Sequence, residues 1–141
     1  MAAINSRRVW LGALVGGIVW FVWSTVMQMC FLMPRYAAAQ AAGLLLAQPR
    51  YPFFGGLWFV ILLALAYVVA SLYASVRATC GAGPMTALYV GLLVGFAAGF
   101  PQNFAMSTWS PLSRYLPLGW MLEMWVGAIL AALVAGWLYK D

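Results

Sequence analysis

Leu116–Tyr139 reads LPLGWMLEMWVGAILAALVAGWLY, 24 residues carrying one charge, Glu123, a third of the way in. A helix rises 1.5 Å per residue, and about 20 apolar residues cross the ~30 Å hydrocarbon core of a bilayer. This stretch is long enough to span one. Three more of the same kind precede it, at Val9–Met33, Pro52–Val76 and Pro84–Met106, and the four take 97 of the 141 residues. The expected fold is all-α: a four-span transmembrane helix bundle forming a single membrane domain over residues 1–141.

Composition agrees. The chain is 67% hydrophobic and 6% charged, against about 25% charged in soluble domains. That excludes a water-soluble fold and intrinsic disorder alike. With no histidine and two cysteines, the chain cannot build histidine-ligated metal or haem sites, histidine bases, or a four-thiolate cluster. No metal or cofactor is expected. The basic residues do not cluster, so neither is a nucleic-acid partner. An enzyme needs a nucleophile with its base, a metal or paired acids, and none can be assembled around one intramembrane acid. The partners left are the lipid bilayer, further copies of the chain, or a larger membrane complex.

Prolines and glycines mark the expected ends of the spans. Pro34 is expected to stop the first helix, Pro49 and Pro52 to bracket the next boundary, and Cys80–Pro84 (CGAGP) to form a tight turn. The alanine-rich segment 35–48 is too short to span and reads as a short interfacial helix. An even number of spans puts both termini on one side, with Arg7, Arg8, Arg77 and Lys140 against Arg35, Arg50 and Arg114 on the other. The positive-inside rule then favours cytoplasmic termini in a bacterial inner membrane. Ser6–Leu11 (SRRVWL) resembles a twin-arginine export signal, and Ala37–Ala39 a cleavage site. A signal core runs about 7–15 residues, and this one runs 25, so an uncleaved first span is expected.

Small residues recur at the spacing that lets membrane helices approach closely: Ala87, Gly91, Gly95 and Gly99, then Gly127, Ala131 and Ala135, then Gly12, Gly16 and Gly17. These are read as packing faces of one bundle, with a homo-oligomer interface as the alternative.

Polar residues inside the spans converge on one depth. Glu123 heads the Gly127–Ala131–Ala135 ridge, and an ionisable group there costs at least ~2.5 kcal/mol unless it is paired, protonated or wet. Gln102 and Asn103 end the third span, and Gln28 lies one turn beyond Ser24 and Thr25 in the first. Pro101 is expected to kink or break the third helix. Trp20, Trp23 and Trp120 complete the candidate binding set, because an acid among aromatics suits a lipophilic cation.

Two functions fit this set. In one, the protein is an accessory or structural membrane protein, and Glu123 pairs with Arg114, Arg50 or Arg35 or hydrogen-bonds Asn103 or Gln28. In the other, it is a small transporter exchanging a proton on Glu123 for a cationic or polar solute. In size and in its single intramembrane acid the chain is similar to the small multidrug-resistance transporters, but that family carries the acid in its first helix. The glycine-rich first span with its aromatic cluster, Gly16–Trp23 (GGIVWFVW), resembles small four-helix bacterial integral membrane proteins of unknown function. That resemblance implies a four-span bundle and no activity.

Overall fold

The computed structural model describes residues 4–139, so Lys140 and Asp141 lie outside the described residues. Its elements in chain order are α1 (Ser6–Met27), a π-helical turn (Gln28–Leu32), α2 (Met33–Ala41), α3 (Phe54–Cys80), α4 (Pro84–Trp109) and α5 (Tyr115–Leu138). Among the described residues there is no strand. Four helical stretches are long and apolar enough to cross a membrane: Ser6–Ala41, Phe54–Cys80, Pro84–Trp109 and Tyr115–Leu138. Their length and composition are those of a multi-pass helical membrane protein.

The first stretch departs from expectation. Pro34 does not stop the helix, and 35–48 is not a separate interfacial helix. The chain stays helical from Ser6 to Ala41 through the π-turn, and Pro34 sits in the first turn of α2. Proline is tolerated there because the ladder changes register just before it, Met33 N–H reaching back five residues to Gln28 O. The wider π-turn relieves the clash its ring would make with a preceding carbonyl. Arg35 Nη1 donates to Phe31 O at 2.6 Å in the same turn. Helix α2 ends in a Schellman motif: Gly43 takes φ +72°, its N–H donates to Gln40 O, and Leu44 N–H donates to Ala39 O. Residues 42–53 are turns and irregular chain.

Helix α5 is the hub. It packs against α4 most extensively and also against α1 and α3, while α1 and α4 occupy opposite corners without touching. The small-residue rows explain the closeness. A Cβ added at Gly91 would lie 2.6 Å from Ile129 Cα, at Gly95 2.8 Å from Trp125 Cα, and at Gly99 3.0 Å from Met121 O. The row on α4 therefore meets α5 residues that recede by four as it advances by four, the geometry of antiparallel ridges. On α1, Gly12 and Gly16 meet Ala135 and Ala131 in the same way. These rows serve packing within the chain.

Trp20 is fully buried, with its indole set over Gly127: a Cβ there would fall 2.0 Å from Nε1. Its N–H has no hydrogen-bond partner. At the far end of the bundle from α2, two arginines hold the end of α5. Arg77 donates to Tyr139 O at 2.9 Å and lies over the Tyr139 ring, and Arg8 donates to Leu138 O at 3.5 Å. At the α2 end a second apolar cluster of Leu32, Ala39, Leu112 and Leu116 closes the bundle. Cys30, in the π-turn, and Cys80, at the opposite end of α3, are free and exposed.

Candidate functional site

A cavity of about 630 Å³ opens between the main core and the α2-end cluster. Every element around it contributes. The π-turn brings Gln28, α2 brings Tyr36, and α3 brings Phe54 and Trp58. Helix α4 supplies Ala98, Gln102 and Asn103, and α5 supplies Trp120, Glu123 and Met124.

Glu123 sits in the wall, 2% exposed. Both carboxylate oxygens accept hydrogen bonds from neutral donors: Ser24 Oγ donates to Oε1 at 2.5 Å, and Gln28 Nε2 to Oε2 at 2.7 Å. Trp58 Nε1 donates to Ser24 Oγ at 3.0 Å, so a relay runs from α3 through α1 to the acid on α5. Trp23 Nε1 donates to the backbone oxygen of Glu123 at 3.2 Å. Above them Trp120 Nε1 donates to Tyr36 Oη, with the two rings 6.1 Å apart. Because the α1 helix continues through the π-turn, Ser24, Gln28 and Tyr36 rise along one rod and face α5 in turn.

The ion pair that would fill this space is not formed by the described residues. Arg35 is engaged with Phe31 O and the Tyr115 ring, Arg114 lies against the same ring, and Arg50 is exposed on the loop. Of the acid's expected neutral partners, Gln28 makes the contact. Asn103 instead donates to Gly99 O at 2.8 Å, inside its own helix. Pro101 does not break α4, which runs unbroken to Trp109. A proline N cannot donate to Ala97 O, and the Asn103 amide braces the turn that follows.

Five of the seven expected binding residues line the cavity: Glu123, Gln28, Gln102, Asn103 and Trp120. Two do not. Trp20 lies deeper, packed on Gly127, and Trp23 stands behind the acid on its backbone carbonyl. Tyr36, Phe54 and Trp58 were not expected there. Tyr36 falls in the 35–48 segment, whose composition reads as a separate interfacial helix, and Phe54 and Trp58 fall in the apolar run of the second span. The Ser24–Gln28 spacing of four already placed Ser24 on the Gln28 face, the one signal available for it.

Comparison with models of protein families, with curated proteins and with solved structures finds no match to this chain.

Proposed function

We propose that this is a small multi-pass membrane protein that binds an organic cation in the α2-end cavity, with Glu123 as the counter-charge. One observation carries the reading: a cavity large enough for a small molecule touches an intramembrane acid that no arginine among the described residues neutralises. Tyr36, Phe54, Trp58 and Trp120 supply aromatic faces, each worth about 0.5–2 kcal/mol to a cation desolvated against it. The Gln28 amide occupies one carboxylate oxygen of Glu123. Direct contact with the carboxylate requires Gln28 to turn aside, and Gln28 is itself half-buried on the cavity wall.

Calorimetric titration of the purified protein with tetraphenylphosphonium tests this. Saturable one-to-one binding is expected, at least tenfold weaker in Glu123→Gln. No saturable heat in the wild type, or equal affinity in the variant, refutes it. Flux of the same cation in proteoliposomes then asks whether binding leads to transport.

The accessory or structural reading has its own support: neutral donors already satisfy both oxygens of Glu123, tying α1 to α5. On that reading Glu123→Gln lowers stability, the wild type binds no cation, and native purification brings a second membrane protein with it.

A further inference from the structure

We infer a second site, for the phosphate of an anionic phospholipid, formed by Arg35 and Arg114 around Tyr115 at the mouth of a lipid-facing groove. The two guanidinium carbons lie 5.0 and 5.6 Å from the centroid of the Tyr115 ring. One arginine comes from α2 and the other from the residue before α5, and both are exposed. Like charges gathered at one ring repel unless an anion lies with them. The chain has only two acids, Glu123 and Asp141. The first is enclosed by Ser24 and Gln28. The second lies outside the described residues.

The setting selects a lipid. Tyr115 begins a membrane-spanning helix, the depth at which tyrosine meets headgroups. Arg35 spends one N–H on Phe31 O. A guanidinium has five, in a fork that matches phosphate oxygens. Below the pair, a groove of about 460 Å³ runs between the α1–α2 rod and α5, lined by Trp23, Met27, Phe31, Leu118 and Leu122. Phe31 and Leu122 are exposed, at 55% and 47%. Trp23 Nε1 is turned inward to the Glu123 carbonyl, so the polar side chains of the lining are Arg35 and Tyr115 alone. The rest of the groove wall is apolar, as an acyl chain requires; Arg35 and Tyr115 edge it, and Arg114 lies against the Tyr115 ring. Guanidinium groups beside an apolar groove supply the charge-assisted donors that a headgroup phosphate accepts.

Native mass spectrometry of the protein reconstituted with equal phosphatidylglycerol and phosphatidylcholine tests the site. The wild type should retain phosphatidylglycerol at least tenfold over phosphatidylcholine. Arg35→Gln/Arg114→Gln should abolish the preference with the helical content unchanged. Arg7→Gln/Arg50→Gln, which removes the same charge from exposed positions elsewhere, should keep it. Equal retention of the two lipids by the wild type overturns the proposal. So does a preference that survives the first variant or is lost equally in the second. Displacement of the lipid by millimolar inorganic phosphate would make this a free-anion site and also overturns it. The cation cavity is read separately by Glu123→Gln, so either site can fail alone.

Discussion

Gly127→Ala places a methyl carbon 2.0 Å from Trp20 Nε1, 2.1 Å from Cδ1 and 2.8 Å from Cε2. Those distances are far inside contact, and the indole they strike is rigid and fully buried. It has little room to retreat, because α1 already lies against α5 at Gly16, where a Cβ would fall 3.1 Å from Ala131 O. Overpacking of this kind costs about 1–3 kcal/mol, and the better helix propensity of alanine returns up to about 1. A net loss of about 1–2 kcal/mol is expected. Trp20→Phe supplies the control. It removes the indole N–H that has no partner, whose burial costs about 1–3 kcal/mol, and leaves a small void that costs a similar amount. The double variant places the new methyl in that void, so the two changes should couple favourably by at least ~1 kcal/mol. Reversible unfolding in mixed detergent micelles, followed by circular dichroism, measures all three. A Gly127→Ala variant within ~0.5 kcal/mol of wild type, or penalties that simply add, would refute the packing assigned to these residues.

Three further outcomes are expected. Gly91→Ala drives a methyl to 2.6 Å from Ile129 Cα and should separate α4 from α5, whereas Gly56→Ala meets nothing within 4 Å and should be neutral or stabilising by up to ~1 kcal/mol in the same unfolding assay. Ser24→Ala removes a donor to Glu123 and the acceptor of Trp58 together, which should cost about 1–3 kcal/mol and alter the near-ultraviolet dichroism of the tryptophans. Pro34→Ala removes the ring that the π-turn accommodates, so the turn should tighten and rotate α2. A Tyr36→Cys/Trp120→Cys pair that crosslinks readily in the parent should then crosslink poorly with Pro34→Ala present.

Hydropathy alone located the four spans, because nothing but a bilayer accepts 24 residues such as Leu116–Tyr139. The packing rows were legible for a related reason: glycine at four-residue spacing has few uses in a membrane other than close approach. Depth was legible too, which is why Glu123, Gln28, Gln102, Asn103 and Trp120 meet at one cavity. Azimuth was not. Trp20 and Trp58 look alike in sequence, each a tryptophan in an apolar run. Only the position of the neighbouring helices sends one to the core and the other to the site. The π-turn was invisible as well, since Pro34 reads as a stop wherever its local strain has no other outlet. Missing it separated Tyr36 from the helix that presents it.

The place of α5 in the bundle bears on how the molecule is made. It follows the other three described spans in chain order, yet it is the one on which α1, α3 and α4 all pack. Without it, α1 and α3 can already pair through their own extensive contact, while α4 has only its slighter contact with α3 and none with α1. Helix α4 therefore joins the α1–α3 pair only once α5 lies between them. Without α5, α1 and α3 would keep their contact while α4 would lose its principal partner.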